Sequence, residues 1–206
     1  MATVAELLVG PNSASGIRGR LQDLDDEAYS DNLLMNFLSD AQQDFALTGC
    51  CQDLYSPTPN GSYSFMWLTP TDQTLSIYAV TRNDVPLNFA PMSEARYWTP
   101  ASGVPTAYTI WQNSSTDQMR FDTIPDTLKA INIFRTYIPS ELSSTTTTLK
   151  VPTKWHTALK AYVEYRVRST DREDGLADRA FAEYQAAKEH AYRIYEAMFQ
   201  TGGPTK

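Results

Sequence analysis

Between Tyr29 and Gly49 the apolar residues recur with the period of a helix. Leu34, Leu38, Ala41 and Phe45 fall at i, i+4, i+7 and i+11, and Leu33 and Phe37 widen the stripe. Ser30 supplies an N-cap, and Asp31 places a negative charge where the helix dipole is positive. Gly49 suits the left-handed residue that closes a helix. A shorter helical piece, GIRGRLQDLD, precedes it, with Ile17, Leu21 and Leu24 on one side.

After residue 50 the period changes. The runs SYSFMWL, TLSIYAV, TAYTIWQ, QMRFDTI and AINIFRTYI are rich in β-branched and aromatic residues and predict five strands. TPTDQ and NSSTD have the composition of hairpin turns. Several strands carry apolar groups on both faces, as where Tyr63, Phe65 and Trp67 stand opposite Met66 and Leu68. Such strands form a sheet packed on both sides or one that meets another chain. Exposed aromatics would suit a ligand platform, but core packing is the preferred reading for large rings. SELSSTTTTLK, residues 140–150, reads as a polar loop with scope for motion.

The helical period returns with VPTKWHTALKAYVEYRVRS, where Pro152 marks a start and Trp155, Leu159, Tyr162 and Val163 share a face. TDREDG interrupts it, and Thr170 and Glu173 have the spacing of a capping box. In the last helix Leu176, Ala180, Tyr184, Ala187, Ala191, Ile194 and Met198 make the stripe, and the small alanines permit close approach of a second helix. A helix of about 19 residues has little stability alone and must bury its stripe. The best partners for the 29–49 helix are the two C-terminal ones. The expected class is therefore α+β: a helical bundle formed by N-terminal residues 1–50 and C-terminal residues 151–200, an inserted β-rich lobe over 51–150, and a short flexible tail at 201–206.

Composition narrows the function. With 206 residues, 42% of them hydrophobic, the chain can bury a sizeable core. The N-terminal MATVAELLVGPNSA has no basic start and too short an apolar patch for a signal peptide, and no run approaches a membrane span, so a soluble protein made in a cytoplasm is expected. The net charge of −7 argues against non-specific binding to nucleic acid. That charge divides as −6 over residues 1–50, −2 over 51–150 and +1 over 151–206, an asymmetry that suits complementary surfaces on neighbouring copies or, more plainly, a solvated acidic segment.

Catalytic signatures are absent from the sequence. It has no Walker A loop, GxGxxG, GxSxG, HExxH or CxxC. Cys50 and Cys51 are adjacent, which disfavours an ordinary disulfide and fits reduced thiols. A Cys50–His156 nucleophilic pair, or a zinc site from both cysteines with His156 and His190, is weaker than a structural role for each. Asp23 to Glu27, DLDDE, would supply paired carboxylates but reads better as a solvated run, and DREDG lacks the calcium-loop spacing. No catalytic, metal or cofactor site is expected. The sequons at Asn60 and Asn113 mean little without a secretory signal.

The order of these features resembles the head–tail adaptor (connector) proteins of tailed bacteriophages. IRGRLQD and YSDNLLMNFLSDAQQDF look like the family's opening helices; LSIYAVTRNDVPLNF, then YW and the Gly103–Tyr108 segment GVPTAY, resemble its β-rich middle. RFDTIPD, INIFRTYIP and VPTKWHTAL resemble its return to helix, and ALKAYVEYRVRS with the long closing helix completes the likeness over roughly residues 15–200. The resemblance implies a non-enzymatic virion protein of the neck, between capsid and tail. It implies a homo-oligomeric ring, commonly of twelve copies, under the portal, with tail, tail-tube or nozzle proteins as further partners. It also implies a channel that passes DNA without sequence-specific binding. A C-terminal segment docks into the portal in several such families. By that likeness the docking peptide is Thr201, Gly202, Gly203, Pro204, Thr205 and Lys206. The alternatives are a neck or tail-completion protein that binds the adaptor, and a binding module with an aromatic strand platform.

Overall fold

The computed structural model describes residues 2–10, 15–23, 28–68, 72–112, 117–127 and 129–201. The chain forms two compact units, Met1–Cys51 with Tyr137–Lys206, and Gln52–Thr136. We call them the terminal and the middle unit.

The terminal unit holds α1 (Val4–Val9), α2 (Ile17–Leu21), α3 (Asp31–Ala46), a 3-10 turn (Thr153–Trp155), α5 (His156–Thr170) and α6 (Asp174–Thr201). Its centre is α3. Leu34, Leu38, Ala41 and Phe45 are fully buried, as their spacing requires. The Ser30 hydroxyl accepts from the Leu33 amide, and Gly49, at φ 81°, turns the chain out of the helix. α3 packs on α5, and the Phe45 ring lies 5.6 Å from Trp155 and 6.0 Å from Tyr184 of α6. The Tyr184 hydroxyl donates to Asp44, whose carboxylate also receives Lys188 Nζ at 2.7 Å.

Other parts of this unit depart from the sequence reading. α1 is capped reciprocally by Thr3 and Glu6, a capping box in the first residues of the chain. The 140–150 segment is tied down rather than free. Val4 and Ala5 amides donate to Thr147 and Thr145 carbonyls, the Leu142 amide to Ser39 Oγ and the Lys150 amide to Gln42 Oε1, while Leu142 and Leu149 are buried. Thr170 ends α5, its hydroxyl donating to the Arg166 carbonyl, and Glu173 pairs with Arg168 at 2.5 Å, so the expected capping box does not form. The chain turns at Arg172, φ 61°, before α6 begins. On α6 the buried face runs through Ala177, Ala180, Tyr184, Ala191 and Tyr195, while Leu176 is 45% exposed.

The middle unit contains β1 (Gln52–Tyr55), β2 (Phe65–Leu68), β3 (Gln73–Arg82), β4 (Val85–Pro86), β5 (Asn88–Phe89), α4 (Met92–Ala95), β6 (Ala107–Gln112), β7 (Asp117–Phe121) and β8 (Ile131–Ile138, of which the last two residues belong to the terminal unit). These make two four-stranded sheets, ordered β1-β8-β3-β4 and β2-β7-β6-β5. One core joins them: Met66, Leu68, Tyr108, Met119 and Phe121 from the second sheet, Ile131 and Ile133 from the first.

This architecture corrects the expected class. The described residues form two four-stranded sheets and six α-helices, a mixed fold with its strands in the middle, not a helical bundle with an inserted lobe. Only the α+β mixture of the expectation stands. The strand-rich segment closes a core of its own, and part of the terminal unit is coil rather than bundle, because Leu142, Leu149 and Val151 bury their side chains from an extended segment. The strand runs themselves were legible: all five predicted runs contain strands.

His156 gives this fold a pH dependence. It is buried, its Nε2 lies 3.0 Å from the Val151 carbonyl, and burial pushes its imidazole below the ordinary 6.5. The unfolded chain therefore takes up this proton at a higher pH than the folded one. The stabilisation is complete above 6.5 and falls as pH drops from there through the lower folded value. His156→Gln, which keeps an N–H donor for Val151, is expected to flatten the stability–pH curve in that window when unfolding is followed by circular dichroism. An unchanged curve would assign the acid sensitivity to other groups.

Candidate interaction surfaces

The residues singled out for chemistry are placed in structural roles. Cys50 and Cys51 are buried with sulfurs 3.8 Å apart, and Cys50 Sγ lies 3.7 Å from the Phe45 carbonyl. Its thiol is held below the usual value chiefly by the Cys51 contact, with burial opposing. His156 is occupied by Val151. His190 sits edge-on to Trp155 at 5.7 Å. Asp23 receives Arg18 Nη1 at 2.7 Å; Leu24–Glu27, the rest of the carboxylate run, lie outside the described residues. Asp171 of DREDG accepts from the Tyr29 hydroxyl, which raises that phenol to about 12. Among the described residues no group of three or more His, Cys, Asp or Glu side chains is placed to hold a metal ion. The same residues contain no helix long and apolar enough to cross a membrane. Thr201 is the last residue of α6, and Gly202–Lys206 lie outside the described residues, as do most of the two expected hairpin turns, TPTDQ and NSSTD.

What the structure presents instead is surface. In the middle unit β2 and β6 both pair with β7: Trp67 and Trp111 each stand opposite Gln118, and Phe65 and Thr109 opposite Arg120. These residues share the face turned away from Met66, Met119 and Ile110. Trp67 and Trp111 are 47% and 49% exposed. Phe65 stacks on Tyr63 at 5.1 Å and meets Trp67 edge-on at 6.0 Å, and the Arg120 guanidinium lies 6.0 Å from the Trp111 ring centre. A groove of about 500 Å³, lined by Tyr55, Pro57, Asn60, Tyr63 and Trp67 among others, borders this row. The aromatics were expected in the core; the aliphatic residues between them fill it instead. The signal was present in SYSFMWL, where the rings occupy one parity and Met66 and Leu68 the other.

The first sheet has a comparable outer face. Leu54 pairs with Phe134, the Phe134 ring lies 6.2 Å from Tyr78, and Ser76 and Thr136 share a hydrogen bond of 2.9 Å. Leu54 and Tyr78 are 51% and 42% exposed, while Tyr55 and Ile133, of opposite parity, turn to the core.

In the terminal unit a groove of about 550 Å³ runs beside the end of α3, lined by Leu47, Thr48, Gln185, Lys188, Tyr192 and Arg193 among others. Its walls carry both signs of charge on an apolar floor, with Arg193 3.6 Å from Glu189. Grooves and faces of this kind recognise macromolecules; none of them assembles a nucleophile, base and oxyanion donor at reacting distance.

A family model described as SU10 adaptor protein matches residues 12–204 of the chain. No curated protein matches it.

Proposed function

The chain belongs to the SU10 adaptor protein family, and on that footing we propose that it is a structural protein of the phage virion, the adaptor that joins the capsid to the tail. The observation that carries this reading is the family match across nearly the whole chain. In this role the protein forms a ring, of twelve copies by the family resemblance, beneath the portal, in the neck. It takes the portal protein on one side and tail or nozzle proteins on the other, and is made in the host cytoplasm. No catalytic step is assigned to it.

Physical features support the reading. Exposed apolar rows on a small strand-built unit are what a protein that works by contact requires. The acidic chain, −7 overall, suits a channel wall that lets DNA slide, because it offers few cations to release counterions from phosphate. The docking peptide on this reading is Thr201–Lys206, which begins at the last residue of the 28-residue α6. It would present Lys206 to an acidic groove of the portal.

Electron microscopy of the protein mixed with its portal tests the assignment, and a ring matching the portal's symmetry is the expected result. Deletion of Thr201–Lys206 is expected to abolish docking while leaving the helical circular dichroism unchanged. Docking at full strength by the truncated chain would move the portal contact elsewhere, to the α3–α6 groove first.

A further inference from the structure

The middle unit has two outer sheet faces on either side of one core, and both carry exposed or half-buried apolar side chains. One bears Tyr63, Phe65, Trp67 and Trp111; the other bears Leu54, Tyr78 and Phe134. We propose that these two faces are complementary halves of a contact between copies: the β2–β7–β6 face of one chain stacks on the β1–β8–β3 face of the next. The proposal deepens the ring reading above and rests on it for the closed form of the assembly.

Three observations favour a second copy as the occupant. A sugar or peptide platform accounts for one aromatic row but leaves the other face unexplained, whereas a head-to-tail contact uses both. A head-to-tail contact is also the kind that closes into a ring when its rotation permits, while a two-fold contact would use one face twice and stop at a dimer. The second observation is charge. The polar side chains that register or hydrogen bonding places on these faces are Gln118, Arg120 and the buried Thr109 on one, and Gln52, Ser56, Ser76, Asn132 and Thr136 on the other. They include one cation and no carboxylate, so stacking the faces buries little charge. The third is geometry. Twisted sheets stack face to face at about 10 Å with interdigitating side chains. The tryptophans of one face and the Leu54–Phe134–Tyr78 cluster of the other present side chains of the size that fills such a layer.

The contact is small. The half-exposed rings offer a few hundred Å² a side, against roughly 800 Å² per partner in a standard interface. Pairwise association is therefore weak, with a dissociation constant on the order of 0.1 mM, and it is strengthened when each subunit makes two contacts at once.

The test uses the full chain carrying either Gln118→Cys or Ser76→Cys, which leave the rings of both faces in place, at about 0.1 mM, with a short bismaleimide as the probe. Cys50 and Cys51 are buried, so the unmodified chain serves as the unreactive control. A cross-linked dimer is expected when the two variants are mixed and not from either alone, and the double variant should give a ladder of higher species. Dimer from Gln118→Cys alone, absence of dimer in the mixture, or protection of the tryptophans by a glycan panel without mixed dimer each overturns the proposal. The two readings fail separately. A ring on the portal without mixed cross-links sinks this contact and leaves the adaptor role standing. A ladder without portal binding does the reverse.

Discussion

Phe45→Ala is expected to cost the terminal unit about 3–5 kcal/mol of unfolding free energy, the range for removing a buried ring. Phe45 is fully buried at the point where α3, α5 and α6 meet, its ring touching Trp155 and Tyr184. Deleting it opens a cavity whose walls are tethered. Tyr184 is bound to Asp44 through its hydroxyl, and Trp155 Nε1 lies 3.4 Å from the Tyr195 hydroxyl. Walls held in this way collapse poorly, which places the loss toward the upper end. Urea unfolding followed by circular dichroism reports it, because five of the six α-helices among the described residues lie in this unit. The midpoint is expected to fall by about 1–3 M. Leu33→Ala, on the exposed side of the same helix, is expected to change stability by less than about 0.5 kcal/mol. A Phe45 variant as benign as that control would show that the three helices do not close on this ring.

The contrast between Phe45 and Leu33 also shows what the sequence makes legible. A long amphipathic helix states its face, because the period of 3.6 leaves one arrangement of Leu34, Leu38, Ala41 and Phe45 that buries them all. Ser30 and Gly49 marked its ends for the same local reason. Elements fixed by distant partners left weaker traces. β4 and β5 have two residues each and exist only because β3 and β6 offer edges, so no periodicity announces them. The 140–150 segment reads as a loop by composition, yet its two leucines enter the core and its backbone pairs with residues near the start of the chain. Nothing within these eleven residues, seven of them threonine or serine, encodes that partner.

The candidate surface was half legible. Alternation in SYSFMWL separated rings from aliphatics, but the choice of inner face depends on what lies across the core. There Ile131 and Ile133 of the first sheet fill the space, and Met66 and Leu68, beside Met119 and Phe121 of their own sheet, complete it. Trp67 and Trp111 gained their meaning only from register, since both face Gln118 from positions more than forty residues apart. The fold class misled in the same way. Counting helices at the two ends and strands between them gave the right ingredients. It could not show that the strands would split into two sheets around a core of their own.

Arg18→Met is expected to destabilise the terminal unit by about 3–5 kcal/mol, as much as the loss of Phe45 but for an electrostatic reason. Arg18 lies in the five-residue α2 and is only 4% exposed. Its Nη1 donates to Asp23 at 2.7 Å and to the Tyr29 carbonyl at 3.1 Å, and its Nη2 to Asp31 at 2.6 Å. Asp23 in turn accepts from the amides of Ala28 and Tyr29. One guanidinium thus fastens α2 to the first turn of α3. Methionine fills the volume of the stem but leaves the Asp23 carboxylate, itself 5% exposed, without its cation. The penalty comes from that stranded charge more than from the lost bonds. A second change should therefore recover part of it: Asp23→Asn added to Arg18→Met removes the charge and keeps a side-chain oxygen for one of the two amides, Ala28 on Oδ1 or Tyr29 on Oδ2. The double variant is expected to be more stable than Arg18→Met alone. A double-mutant cycle with Arg18→Met, Asp23→Asn and both together measures the coupling, expected at about 1–3 kcal/mol. Additive losses would mean that Arg18 holds α2 by packing, and the ionic account of this junction would fail.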